Sequence, residues 1–214
     1  MGTRSTGHCY MCGTELGKVT MKNHLLKKHQ AHDGQLCYLL KIEGLYDKDY
    51  WLYVDMPLDK SFSTLDTFLR KIWLECCGHL SAFRGGERGT VGKSRKLGDF
   101  SVGDKFIHEY DFGSTTETLI TIVTETERVA QRQAVRLLAR NTPQEFTCAS
   151  CGETADMVCC ECILKTGDAY YCDKCAGEHE QNNHNFLLPI TNSPRMGVCG
   201  YDGVLDDYTF YPVR

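Results

Sequence analysis

The chain lacks any apolar stretch approaching the ~18 residues that a membrane span needs, and no apolar run marks a secretory leader between Met1 and Thr14. We therefore expect a cytoplasmic protein with reduced thiols and no membrane partner. Charge of one sign is also lacking, since the formal net charge is −4 over 214 residues. Near-neutrality argues against a generic polyanion binder and leaves room for local basic patches. Catalytic signatures are missing too. There is no Ser/His/Asp order, no H-E-x-x-H and no H-x-E, and Glu178-His179 does not supply that spacing. Gly85–Ser94, GGERGTVGKS, fails as a phosphate-binding loop because Glu87 falls where the first glycine is required. Asp111-Phe112-Gly113 stands without any other kinase element and reads as a turn. Neither an enzyme nor a nucleotide binder is expected.

What the chain has instead is 13 cysteines and 8 histidines. Cys148 to His184 contains three C-x-x-C pairs, Cys148/Cys151, Cys159/Cys162 and Cys172/Cys175, followed by His179 and His184. Eight soft ligands make two tetrahedra, and a C-x-x-C turn lets two thiolates converge on one zinc without strain. The same stretch has few large apolar residues, so metal must fold it. Disulfides would need an oxidising compartment, which nothing here suggests.

A second module lies at the N-terminus. Cys9 and Cys12 are followed by His24 and His29, close to the two-Cys, two-His finger in which a hairpin supplies thiolates and a helix supplies imidazoles. Leu16 and Met21 occupy the places of that finger's small core, the Cys-to-His spacing is one residue short, and His32 is a fallback ligand. With the knot this gives three structural zinc ions on twelve ligands. Cys37, Cys76, Cys77, Cys160 and Cys199 look spare, although Cys199 could replace a histidine.

Pairs followed by two histidines resemble B-box and MYND-type fingers, in which ligand pairs alternate between two metals. That resemblance implies Cys148, Cys151, Cys172 and Cys175 on one zinc, and Cys159, Cys162, His179 and His184 on the other. Sequential pairing is the alternative.

Residues 35–144 read as an α+β domain. Strands are expected at Leu36–Glu43, Asp49–Val54, Lys105–Phe112 and Glu117–Thr124. A helix capped by Ser63 or Thr64 would carry Leu65, Phe68, Leu69, Ile72, Trp73 and Cys76 and end at Gly78, after which His79–Arg84 turns outward. Arg128, Arg132, Arg136 and Arg140 recur every four residues, which on a helix makes one stripe. The preferred reading makes Ala134–Leu138 the return strand of a hairpin from Leu119–Val123. After the knot, Leu187, Leu188 and Ile190 are apolar enough to dock as a strand against the central domain. LLKIEG, STLDTFLRKIW, CGHLSAF, LGDF and KFIHEYDFGSTTE resemble the Ri-plasmid open-reading-frame-three family, the passenger family of mobile elements, over about residues 36–125. Gly78, His79 and Leu80 and the turn Tyr110-Asp111-Phe112-Gly113 match its pattern, and Ser114, Thr116 and Thr118 depart from it. The resemblance implies a small antiparallel sheet with helices packed on it.

The expected architecture is thus α+β, with a finger (1–34), a passenger-like domain (35–144) and a zinc knot with tail (145–214). Residues 1–36 carry five Lys/Arg against two acids, and the loop Arg84–Lys96 carries a charge of +4. Lys18, Lys22, Asn23, Lys27 and Lys28 in the finger, with Arg88, Lys93, Arg95 and Lys96 in the loop, are the candidate contacts to DNA or RNA. At two of the three base-reading positions stand Gly17 and Thr20, so contacts to phosphate rather than to bases are expected. The function expected is a zinc-stabilised, non-enzymatic, nucleic-acid-associated protein of plasmid or mobile-element type. A protein-interaction adapter using the knot is the alternative.

Overall fold

A computed structural model describes residues 5–29, 34–85, 89–129, 132–167, 169–182 and 184–203. Leu, Ile, Val and aromatic residues run nearly unbroken through β3 (Gln35–Gly44) and β4 (Trp51–Pro57), and these strands pair antiparallel at the centre of a sheet. Around them lie β1 (Thr6–Cys9), β2 (Glu15–Gly17), β5 (Ser81–Gly85), β6 (Thr90–Val91), β7 (Lys105–Tyr110), β8 (Thr116–Arg128) and β9 (Arg136–Asn141). Among the described residues the order is β2-β1-β9-β4-β3-β8-β7-β5-β6. The sheet is large, nine strands rather than the small one expected.

Both faces of its centre are covered, which is why every residue of β4 is buried. Successive side chains of a strand point to opposite faces. Leu40, Ile42, Leu52, Val54 and Met56 face α2 (Phe62–Leu69) and its π-helical continuation Arg70–Leu74, meeting Phe62, Leu65, Leu69 and Trp73. Leu39, Trp51, Tyr53, Leu138 and Ala139 face the other way and receive Met21 and Leu25 of α1 (Lys18–Lys28). Burying such side chains is worth about 1.5–3 kcal/mol each. The finger's own small core is therefore also the cover of the sheet's second face.

Three local expectations change. The 119–123/134–138 hairpin does not form: β9 is a strand, but it pairs with β1 and β4, while β8 pairs with β3 and β7. Period-two alternation identifies a strand's faces and is silent about its partner. The arginines serve that crossover instead of a helix, with Arg128 and Arg136 both bonded to buried Asp55 and Arg140 donating to the Asn192 carbonyl. His79–Arg84 does not turn away, because Ser81–Gly85 is β5, paired with β7. The helix N-cap is Ser61 rather than Ser63 or Thr64.

The knot builds a second sheet, β11-β10-β12, from β10 (Met157–Cys159), β11 (Tyr170–Tyr171) and β12 (Leu187–Pro189), with α3 (Cys162–Lys165) and α4 (Asp173–Glu180). Leu187 and Leu188 thus pair within the knot. It is the next segment, residues 192–201, that docks on the central domain: Asn192 bonds Asn141, Ser193 donates to the Trp73 carbonyl at 2.6 Å, and Arg195 and Tyr201 are buried.

Candidate metal centres

A C-x-x-C pair can share a metal only if its turn brings both Sγ atoms to one side. In the turns Cys9–Gly13 and Cys148–Gly152 the residue after the second cysteine is a glycine with φ of 77° and 81°. Its N–H returns to the carbonyl of the first cysteine, at 2.7 Å for Gly13 and 3.0 Å for Gly152. Such left-handed backbone suits glycine because there is no Cβ to clash. Cys159 and Cys162 close differently, the Cys162 N–H pointing at Cys159 Sγ from 3.5 Å. Cys172 is the N-cap of α4, so Cys172 and Cys175 are brought together by the first turn of that helix.

Four Cys/His clusters that could hold metal ions result among the described residues. In each, the four ligand atoms lie within 4.8 Å of one another. Cys9, Cys12, His24 and His29 form the first, Cys148, Cys151, Cys172 and Cys175 the second, and Cys159, Cys162, His179 and His184 the third. Cys148 and Cys159 belong to different clusters, the grouping that alternating ligand pairs would give. Cys175 and His179, one turn apart on α4, serve one cluster each. His32 lies outside the described residues.

The separations test whether a metal fits. With metal–sulfur near 2.3 Å and metal–nitrogen near 2.05 Å, tetrahedral edges are about 3.8 Å for S–S, 3.6 Å for S–N and 3.3 Å for N–N. Cys151 and Cys172 are 3.7 Å apart, and Cys162 lies 3.5 Å from both His179 and His184. In the finger, Cys12 is 3.2 Å from His24 and 3.3 Å from His29, and the two imidazole nitrogens are 3.1 Å apart. The knot separations match these edges, those of the finger are slightly shorter, and all are far longer than the ~2.05 Å of a disulfide. All 13 cysteines are free thiols.

Ionisation shows what such crowding costs without a cation. Burial opposes the thiolate of Cys148, but N–H groups of Cys172, Cys151 and Ser150 outweigh it and hold this thiol down at about 6. Cys175, hydrogen-bonded first to Cys172 and then to Cys151, is pushed up to about 12. Four thiols in one shell thus share protons until a dication replaces them. In the finger, burial of Cys9 raises its thiol to about 11, and burial together with the neighbouring His24 lowers His29, favouring the neutral imidazole that coordinates metal.

The fourth cluster consists of Cys76, Cys77, His79 and Cys199. Three of these cysteines looked spare, and His79 had no assigned role. A local signal is present, three candidate ligands within Cys76-Cys77-Gly78-His79, but the completing ligand lies 120 residues further along. Cys37 and Cys160 join no cluster and are buried.

No family model matches the chain, and no curated protein matches it. Among solved structures, the crystal structure of a protein of unknown function, MM3350 from Methanosarcina mazei Go1, is similar with 18% sequence identity and a TM-score of 0.41, over 52% of this chain and 70% of that one.

Of the basic residues named from sequence, Lys18 bonds Glu43 at 3.0 Å and the Lys48 carbonyl at 2.8 Å. Lys93 bonds Asp66 at 2.9 Å and Arg95 bonds Asp99 at 2.7 Å. Asn23, Lys27, Lys28 and Lys96 are exposed and Lys22 half-buried, while Arg88 lies outside the described residues. Lys93 belongs to a buried polar group in which Asp66 also accepts from Ser81 and from His108 Nε2, both at 2.7 Å. Burial works against the Asp66 carboxylate, yet His108, Ser81 and Lys93 hold it well below the ordinary value of 3.8. Burial also lowers His108 below 6.5, outweighing Asp66. Both folded-state values being depressed, the stability they confer is complete above about pH 6.5 and is lost progressively as pH falls below it. Asp66→Asn is expected to shallow the acid side of a stability-versus-pH curve measured by denaturant unfolding between about pH 7 and 3; an unchanged acid limb would show that Asp66 does not set it.

Proposed function

We propose that this chain is a non-enzymatic, zinc-stabilised protein that associates with DNA or RNA through the finger helix, as a plasmid or mobile-element protein of the passenger type would. Zinc is the reading for the metal because sets of four thiolate and imidazole ligands suit zinc, and no carboxylate belongs to any of these sets. Four protein ligands per cluster leave no open position for substrate, which supports a structural role.

The observation that carries the nucleic-acid reading is a groove of about 380 Å³ between α1 and the sheet, lined by Lys18, Lys22, Lys41 and Lys105 over Val19 and Tyr53. Glu43 engages Lys18 and Lys41. Lys22 and Lys105 have no carboxylate partner among the described residues, and Lys27 and Lys28 continue the same helix outward. In the loop, Arg84, Lys93 and Arg95 are paired with carboxylates, so the reading rests on the finger.

Thr20 and Asn23 are the exposed side chains at the base-reading positions, and affinity must come from counterion release. Titration of duplex and single strands from 50 to 200 mM salt should give a log–log slope of about −3 to −4 on duplex, as expected for roughly four phosphate contacts. Replacing Lys22, Lys27, Lys28 and Lys105 by Ala should flatten the slope without changing sequence preference. Absence of binding at 50 mM salt would remove this reading. The adapter reading is favoured by Leu164, 87% exposed on α3 of the knot. A partner captured from the protein's own cell extract despite nuclease would support it.

A further inference from the structure

We infer that Cys76, Cys77, His79 and Cys199 form a fourth zinc site, which clamps the tail to the central domain. The inference stands apart from the nucleic-acid reading. Its geometry is that of the other three clusters: Sγ of Cys77 is 3.6 Å from Sγ of both Cys76 and Cys199, and His79 Nε2 is 3.5 Å from Cys199 and 2.9 Å from Cys77. Apart from the shorter Cys77–His79 contact, these are tetrahedral edges for zinc, and none is a disulfide.

Adjacent cysteines ordinarily point apart, so a vicinal pair on one metal needs an irregular backbone. The structure supplies one. The π-helical turn ends at Leu74, Glu75 is extended, and Gly78 has φ of 80°. Glu75 fastens this turn, accepting from the Gly78 N–H at 2.6 Å, from the Tyr110 hydroxyl at 3.0 Å and from Arg70. Two non-glycine residues have positive φ among the described residues, Cys199 at 57° and Asp111 at 65°. Cys199 is a ligand, and Asp111 lies 3.5 Å from the ligand His79. Left-handed backbone at such residues persists where the surroundings over-determine it, and a cysteine between Val198 and Gly200 gains from it only if its sulfur must reach the cluster.

Charge agrees as well. Three thiolates and a neutral imidazole around a dication leave one negative charge. Arg195, fully buried, places Nη2 3.5 Å from Cys76 Sγ and 2.7 Å from Asp111 Oδ2, facing two anions at once. Without an ionised cluster, a buried guanidinium would face one. Arg195 also donates to the Ser114 carbonyl and the Thr116 hydroxyl. The site thus sits where the tail enters the fold, tying residue 199 to the turn at 76–79 and closing a loop that contains the whole knot.

Full-length protein purified without chelator should contain four zinc ions per chain by elemental analysis. Eleven of the 13 cysteines then act as ligands, so alkylation of the native, zinc-loaded protein should spare Cys76, Cys77 and Cys199 and label them rapidly after chelation. Cys199→Ser should lose one zinc, expose Cys77 to alkylation and open residues 192–203 to protease, with the finger and knot still loaded. Cys199→His should restore the fourth zinc. Three zinc ions in the wild type, or alkylation of Cys77 and Cys199 equally fast before and after chelation, would overturn the site. The wild-type labelling decides the question even if the serine variant fails to fold.

Discussion

Removing metal from the full chain with a strong chelator is expected to unfold residues 146–190 while the centre of the large sheet survives. The knot's interior is Cys148, Ala155, Val158, Cys159, Cys162, Ala169, Tyr171, Cys175, Ala176 and Met196, mostly small side chains and the thiols themselves. Its strands are two or three residues long. Structural zinc contributes roughly 10–16 kcal/mol of apparent folding free energy in zinc-finger peptides at neutral pH, about the whole stability of an ordinary domain. So little apolar area cannot replace that. The central sheet has Trp73, Phe62, Phe83, Phe106 and Tyr110 among many others in its main core and needs no metal for cohesion. Hydrogen exchange should show β10, β11 and α4 losing protection while β3, β4 and β8 keep theirs.

The same result has a finer form in Cys159→Ser. Because α4 holds Cys175 for one cluster and His179 for the other, loosening the Cys159 site moves a ligand of its neighbour. The variant should lose one knot zinc outright and hold the second far more weakly in competition with a chromophoric chelator. Unchanged affinity for the second zinc, or knot amides that stay protected after chelation, would show that the braces are independent or that metal is not what folds the knot.

The Cys and His members of the finger and knot clusters were legible because a C-x-x-C turn and histidines close along one segment are local features. Alternation of those pairs came only through a resemblance, since two wirings satisfy the same spacing. The cluster of Cys76, Cys77, His79 and Cys199 was illegible for the opposite reason. Its parts are separated by a whole module, and nothing in a lone Cys199 indicates where the chain returns. Strands were legible from alternation, but the partners of β9 were not, because they depend on how the chain crosses over the sheet. Met21 and Leu25 read as a finger's private core, yet they also roof Leu39, Trp51 and Tyr53. Only the structure distinguishes a module that folds alone from one that completes another's core.

The crossover from β8 to β9 leads to the second large effect, the loss expected from Asp55→Ala. Asp55, on β4, is 1% exposed, and its two oxygens are taken by arginines at either end of the connection. Arg128 Nη1 donates to Oδ1 at 2.8 Å, and Arg136 donates to Oδ2 through Nε at 2.9 Å and through Nη2. Arg128, as buried as Asp55, also donates to the Gln133 carbonyl inside the connection. The carboxylate therefore fixes both the end of β8 and the start of β9, strands that do not pair with each other. Replacing it with alanine leaves a buried guanidinium with no anion, and breaking such a pair costs about 3–5 kcal/mol. Asp55→Asn keeps the shape without the charge and should recover only a small part. Arg136→Ala should cost less than Arg128→Ala, because Arg136 reaches solvent while Arg128 does not. Denaturant unfolding of the zinc-loaded protein, followed by far-UV circular dichroism to report on the sheet, gives all four values. An Asp55→Ala loss of about 1 kcal/mol or less, the size typical of an exposed ion pair, would mean that packing alone sets the crossover and that the two arginines are held in place by it.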